Sequence, residues 1–155
     1  MSERSKKAVE LFKEGYNCSQ AVFVTFADLY GMDREMALRV SSSFGGGMGR
    51  MREVCGAVSG MFMVVGMETG TIEGKDSQGK QYNYQVVQQL AEQFRQKNGS
   101  IICRELLGLS SGPQTETKPE ERTEEYYKKR PCVELVEDAV LIVEEFLESR
   151  QKNKY

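Results

Sequence analysis

Apolar residues recur at intervals of three and four positions along most of the chain, which is the period of an amphipathic helix. No segment alternates with the period of a strand, and the sequence contains no internal repeat. The pattern therefore predicts an all-α fold, a compact multi-helix bundle. The predicted helices cover about residues 8–15, 18–31, 33–43, 52–70, 80–97, 101–107, 119–129 and 131–149.

Residues that favour caps and turns mark the ends of these helices. Asn17 and Gln20 form a candidate capping box before the second helix, and Asp33 is a candidate N-cap for the third. Residues 109–118 are predicted to form a loop, and residues 151–155 a frayed end. At 155 residues, the chain is expected to form a single helical domain over residues 1–155.

Charge and the lengths of the apolar runs restrict the function classes. With 21 basic and 23 acidic residues, the net charge of −2 argues against a nucleic-acid platform. No apolar run approaches the ~18 residues of a membrane span, and the first residues are polar, unlike a secretory signal. We expect a soluble, cytoplasmic protein that binds no nucleic acid and does not insert into a membrane. The sequence leaves open whether it forms a homo-oligomer.

Four cysteines stand far apart in a chain that has no histidine, and each lies near the start of a predicted helix: Cys18, Cys55, Cys103 and Cys132. Each shares the apolar stripe of its helix, so each should point inward. A helix N-terminus carries partial positive charge, which favours thiolate over thiol. If alternate helices of the bundle run parallel, the four N-termini meet at one end. The sequence therefore predicts a cluster of cysteines with lowered pKa values, acting as catalytic thiols or as metal ligands.

Several chemistries fit such a cluster. In a reducing cytoplasm, four cysteines favour metal binding or redox chemistry over a disulfide framework. An iron–sulfur cluster takes four thiolates, whereas a dithiol–disulfide couple needs only two cysteines close together. Zinc is the weaker candidate, because no two cysteines have the short spacing of a structural zinc knuckle. The remaining alternative is a structural protein whose cysteines belong to the core.

A glycine-rich turn precedes the helix of the second cysteine, and it contains Gly45, Gly46, Gly47, Gly49, Arg50 and Arg52. Such a turn can hold an anion on its backbone amides, and its arginines can offset the charge of thiolates. It is neither a dinucleotide fingerprint nor a P-loop, because a helix precedes it and no Gly-Lys-Ser/Thr follows. The alternative interpretation is a flexible connector that lets backbones pack closely.

Two further glycines, Gly56 and Gly60, lie one turn apart in the helix that follows. Each glycine inside a helix costs roughly 1 kcal/mol relative to alanine. Close approach of another helix, or of a cofactor, beside Cys55 is the simplest compensation for that cost.

The order of these motifs resembles a known family. A cysteine after Tyr16-Asn17, the glycine-rich turn, the run Cys55-Gly56-Ala57-x-x-Gly60 and two later cysteines resemble the C_GCAxxG_C_C family of redox-active proteins, over about residues 8–146. The family name has glycine before its second cysteine, where this chain has Val54. The resemblance implies redox chemistry at the four cysteines.

The same resemblance extends to part of the split-Soret cytochromes, which bind haem and non-haem iron, and so favours an iron–sulfur cluster. Haem is not expected, because the chain has no histidine and no C-x-x-C-H motif.

The sequence thus predicts intracellular electron transfer or thiol redox chemistry at the four cysteines, with an unknown redox partner. Whether the protein is an enzyme of the oxidoreductase type is left open. The alternative from another class is a non-enzymatic module that binds a small anion or a metal at the glycine-rich turn. In either case the predicted ligand-binding residues are Gly45, Gly46, Gly47, Gly49, Arg50 and Gly56.

Overall fold

The computed structural model describes residues 1–109 and 115–153, and helices dominate this part of the chain. They are α1 (Glu3–Lys13), α2 (Cys18–Val24), α3 (Arg34–Ser41), α4 (Gly56–Thr69), α5 (Ser77–Asn98), α6 (Cys103–Leu106), α7 (Glu124–Lys129) and α8 (Cys132–Lys152). The predicted all-α class is confirmed. The predicted loop at 109–118 and the predicted frayed end include residues 110–114 and 154–155, which lie outside the described residues.

Local sequence determines where the early helices begin. The Asn17 side chain accepts a hydrogen bond from the Gln20 amide at 2.9 Å, and the Gln20 side chain accepts one from the Asn17 amide at 3.1 Å. The Asp33 carboxylate accepts a hydrogen bond from the Met36 amide at 3.0 Å. Both predicted caps therefore form, and each satisfies backbone donors that a helix start leaves unpaired.

Four predicted helices are shorter in the structure. Residues 52–55 and 101–102 are not helical, because their backbones pair with each other around an isolated antiparallel bridge between Val54 and Ile102. The second helix ends at Val24, and a separate 3₁₀ turn, Ala27–Tyr30, follows it. Residues 115–123 form a non-helical segment, here called the strap, so α7 begins only at Glu124.

The core is built around α4, which packs against α2, α5 and α8, while α1 packs against α8 and α2. The first half of α4 is almost entirely buried, from Gly56 to Met61. The longest buried stripe on a partner helix belongs to α8 and comprises Cys132, Leu135, Val136, Ala139, Val140, Ile142, Val143 and Phe146. Within the described residues, no helix has the length and apolar character needed to cross a membrane.

The helices α2 and α4 approach each other closely at Gly60. A Cβ atom at this position would lie 2.9 Å from the Ser19 carbonyl oxygen and 2.9 Å from the Val22 Cβ. Gly66, in the same helix, has no such neighbour within 4 Å. The two glycines therefore differ in what an added methyl group would meet.

We expect Gly60→Ala to lower the free energy of unfolding by about 1–3 kcal/mol, because the added methyl group overpacks the α2–α4 contact. Gly66→Ala is the matched control and should raise the free energy of unfolding by about 0.5–1 kcal/mol, because alanine favours the helix and meets no obstacle. Chemical denaturation of the two variants and the wild type measures both effects. Equal effects of the two substitutions would contradict the close contact.

Candidate functional site

One cavity of about 280 Å³ contains every residue that the sequence singled out for the site. Its lining includes the four cysteines and the predicted ligand-binding residues, namely Cys18, Cys55, Cys103, Cys132, Gly45, Gly46, Gly47, Gly49, Arg50 and Gly56. Four helix starts thus meet at one place, as the alternation of helices suggests. The catalytic and metal-binding roles of these residues stay predictions.

Each cysteine occupies the first position of a helix or the position directly before it. Cys18, Cys103 and Cys132 are the first residues of α2, α6 and α8, and Cys55 is the N-cap of α4. All four are free thiols. Cys55, Cys103 and Cys132 are buried, whereas Cys18 is half-buried.

Backbone pairing sets the positions of the two middle cysteines. The Cys55 amide donates to the Ile101 carbonyl at 2.8 Å, and the Cys103 amide donates to the Glu53 carbonyl at 2.6 Å. These two hydrogen bonds flank the Val54–Ile102 bridge. Because the bridge fixes the two segments side by side, the starts of α4 and α6 are held together at the cavity.

The glycine-rich turn, residues 45–52, folds over the same cavity in a conformation that few side chains allow. Gly47 has a φ of +71°, and a Cβ atom there would lie 2.6 Å from the Cys103 Cβ and 2.8 Å from the Arg52 Cα. Only glycine fits both the left-handed backbone and this close approach. The close backbone packing that the connector interpretation expects is therefore present, and the turn forms part of the cavity wall.

Gly56 likewise allows close contact at the start of α4. A Cβ atom at Gly56 would lie 3.2 Å from the Cys18 Cβ and 3.1 Å from the Phe44 carbonyl oxygen. The expected approach of another helix beside Cys55 is thus the approach of α2, whose first residue is Cys18.

Cys18 is the thiol whose pKa is lowered, to about 7. The largest cause is a side-chain hydrogen bond from Cys132, and the positive charge of Arg122 adds to it. Backbone amides of Cys18 itself and of Gly46 also favour the thiolate. Because hydrogen bonds to the charged form stabilise that form, Cys18 is the one of the four thiols that ionises near neutral pH.

The other three thiols depart from the expectation of lowered pKa values at helix starts. Burial raises the pKa of Cys55 to about 12, although the amides of Ala57 and Val58 oppose the rise. The pKa of Cys132 is raised, first by its hydrogen bond to Cys18 and then by burial. Burial also raises the pKa of Cys103. At Cys55 and Cys103, desolvation of the charged form outweighs the effect of the helix N-terminus.

Four arginines line the cavity around the sulfurs. The sequence predicts Arg50 and Arg52 for the site, but not Arg122 and Arg130. Arg52 is buried and donates to the Cys103 sulfur at 3.6 Å. Arg122 lines the cavity and donates to the carbonyls of Phe12 at 2.7 Å and Tyr16 at 3.1 Å, with its guanidinium 4.3 Å from the centre of the Phe12 ring. Arg122 thus fastens the strap to the end of α1 beside Cys18.

Arg130 is the second unpredicted arginine of the lining. In the sequence it follows two lysines, and nearby glutamates suggest a solvated surface. In the structure its side chain is only 15% exposed and forms an ion pair with Glu120 of the strap. Tyr126 also lines the cavity, and burial raises the pKa of its hydroxyl to about 12.

The donor atoms of the cavity are sulfurs on four separate helix starts. Among residues 1–109 and 115–153, no three cysteine or acidic side chains are grouped so as to hold a metal ion.

The fold and the cavity together define an all-α protein with a four-cysteine site. The family model described as "Putative redox-active protein (C_GCAxxG_C_C)" matches residues 16–146. The chain therefore belongs to the C_GCAxxG_C_C family of redox-active proteins, as its motifs suggest. The comparisons with curated proteins and with solved structures give no match.

We expect alkylation of Cys18 by iodoacetamide to rise as the pH increases through about 7 and then to level off, because its thiolate forms there. The three thiols with raised pKa values should react slowly over the same range. Cys132→Ala removes the hydrogen-bond donor and should shift the Cys18 profile to higher pH. Cys103→Ala leaves that donor in place and serves as the control.

Mass spectrometry of peptides alkylated at a series of pH values measures each profile separately. An unchanged Cys18 profile in Cys132→Ala would contradict the assigned hydrogen bond.

Proposed function

We propose that the protein carries out thiol–disulfide redox chemistry in which Cys18 attacks and Cys132 completes the disulfide. The observation that carries this proposal is that both thiols line one cavity at the starts of α2 and α8, where the Cys132 side chain lowers the pKa of Cys18 and the pKa of Cys132 is raised. A nucleophilic thiolate beside a protonated partner thiol is the arrangement that thiol–disulfide exchange requires. The pair would rest as a dithiol in a reducing cytoplasm.

In this exchange the substrate disulfide is the oxidant and the protein dithiol is the reductant. The Cys18 thiolate attacks one sulfur of the substrate disulfide, which forms a mixed disulfide and releases one substrate thiolate. Cys132 gives up its proton to that thiolate and attacks the Cys18 sulfur. The Cys18–Cys132 disulfide forms, the second substrate thiolate leaves, and the substrate has gained two electrons.

The surrounding residues support the separate roles of the two sulfurs. The Gly46 amide and the Arg122 charge stabilise the Cys18 thiolate. The hydrogen bond to Cys18, together with burial, keeps Cys132 protonated until a leaving thiolate can accept its proton. Cys55 and Cys103 are buried with raised pKa values, so their sulfurs react more slowly than Cys18.

Equilibration of the reduced protein with oxidised glutathione should produce one intramolecular disulfide, between Cys18 and Cys132. Cys132→Ser should instead accumulate glutathione on Cys18, because the mixed disulfide cannot be resolved by a hydroxyl group. Cys103→Ser is the matched control and should still form the Cys18–Cys132 disulfide. Peptide mapping without reduction identifies the bonds, and a preferred disulfide between any other pair would contradict the proposal.

An iron–sulfur cluster is the second candidate, and one observation favours it. Four thiols and four arginines line the cavity, and the chain has no histidine. Thiolates are soft ligands of the kind that hold iron–sulfur clusters. Cys18, Cys55, Cys103 and Cys132 would hold the cluster once their sulfurs move closer together, since no three of them are grouped for a metal ion among the described residues. The arginines would offset its thiolate charge. Such a cluster supplies one-electron transfer.

Protein prepared without oxygen distinguishes the two candidates. A cluster predicts iron and acid-labile sulfide in comparable amounts, with visible absorption that Cys55→Ser abolishes, because a hydroxyl group is a poor ligand for iron in such clusters. Thiol chemistry at Cys18 and Cys132 predicts a colourless protein in which Cys55→Ser still forms their disulfide. Elemental analysis and visible spectra of the wild type and of Cys55→Ser distinguish the cluster from the thiol chemistry.

A further inference from the structure

A carboxylate already sits at the rim of the cysteine cavity, and it belongs to the protein itself. Glu120 of the strap lies 3.8 Å from the Arg50 guanidinium, and the same carboxylate oxygen forms an ion pair with Arg130. The arginine side chains are only 18% and 15% exposed, whereas the Glu120 side chain is 46% exposed. The two cations are therefore fixed parts of the wall, and the carboxylate can turn towards solvent.

The backbone of the glycine-rich turn holds Arg50 in this place. Arg50 and Arg52 both have positive φ values, 65° and 61°, which are rare for residues with side chains. Arg52 reaches the sulfur of Cys103, and Arg50 reaches the strap, where it also donates to the carbonyls of Glu116 and Lys118. Such backbone strain concentrates at sites that bind or react.

The charges around the cavity favour the binding of an anion, although the net charge of the whole protein does not. Of the residues that the structure describes, four arginines and one acidic residue, Glu120, line it, while the chain carries a net charge of −2. Attraction of an anion would therefore come from these local arginines rather than from the overall charge. The cavity volume of about 280 Å³ suits a small molecule.

We propose that Arg50 and Arg130 form a subsite for a carboxylate group of a small disulfide substrate, and that Glu120 occupies this subsite when no substrate is bound. The inference rests on the thiol–disulfide chemistry proposed above and names the substrate class. The substrate carboxylate replaces the Glu120 carboxylate on the two guanidinium groups, and the disulfide then lies in the cavity of Cys18. Glu120 acts as an internal competitor.

Three small disulfides of different charge test this subsite, namely dithiodiglycolate (anionic), bis-hydroxyethyl disulfide (neutral) and cystamine (cationic). The rate of oxidation of the reduced protein by each is divided by the rate of oxidation of dithiothreitol by the same reagent, which removes differences in intrinsic reactivity. The corrected rate in the wild type should be highest for dithiodiglycolate and lowest for cystamine. Succinate should slow the reaction of dithiodiglycolate more than that of the neutral disulfide.

Matched variants separate the subsite from general charge effects. Arg130→Gln should lower the ratio of the dithiodiglycolate rate to the neutral rate by about two- to fivefold, the typical effect of one ion pair. Glu120→Gln should raise the ratio by a similar factor, because the competitor is gone. Lys129→Gln and Glu121→Gln remove the same charges at neighbouring positions, and their ratios should equal that of the wild type.

Equal corrected rates for the three disulfides in the wild type would overturn the subsite while leaving the thiol–disulfide chemistry intact. The subsite is also overturned if Glu121→Gln raises the ratio as much as Glu120→Gln does. Absence of oxidation by all three disulfides would overturn both this inference and the thiol–disulfide chemistry. The succinate experiment uses only the wild type, so it tests the subsite even if a variant folds poorly.

Discussion

The close contact between α2 and α4 is the constraint on which the site depends. Gly56 and Gly60 leave no side chain between the two helices, so the first turn of α2 lies directly on the backbone of α4. Cys18 begins the first of these helices and Cys55 caps the second. The contact also brings the carbonyl of Phe44, just before the glycine-rich turn, against α4. Packing of two backbones therefore determines where the sulfurs and the turn meet.

Burial then makes the four thiols unequal. A low-dielectric pocket penalises each further thiolate, both by desolvation and by repulsion from the thiolates already present. Cys18 is the half-buried member. The hydrogen bond from Cys132, then the charge of Arg122 and the Gly46 amide, lower its pKa against the opposing effect of desolvation. The pKa values of the two neighbouring thiols are therefore separated, with that of Cys18 lowered and that of Cys132 raised.

Local chemistry made much of the site predictable from the sequence. The cap at Asn17, the helix starts at the four cysteines and the tight glycine-rich turn all follow from neighbouring residues. The pairing of residues 52–55 with 101–104 could not be predicted, because it joins distant segments too short to have a strand pattern. The inward position of Arg130 was missed for a related reason. Its glutamate partner could not be identified among several nearby in sequence. The prediction of lowered pKa values holds for Cys18 and is wrong for the other three thiols, because burial is a tertiary property.

The contact of the strap with the end of α1 affects the order in which the site forms during synthesis and folding. Arg122 donates to the Phe12 carbonyl across 110 positions of sequence, so the cavity closes only when both ends of the chain have met. Contacts of such long range form late during folding, because the intervening chain must first be ordered. During synthesis on the ribosome, the Cys18 thiol therefore emerges long before the residues that lower its pKa. The lowered pKa of Cys18 is therefore a property of the completed fold and not of the segment that carries this residue.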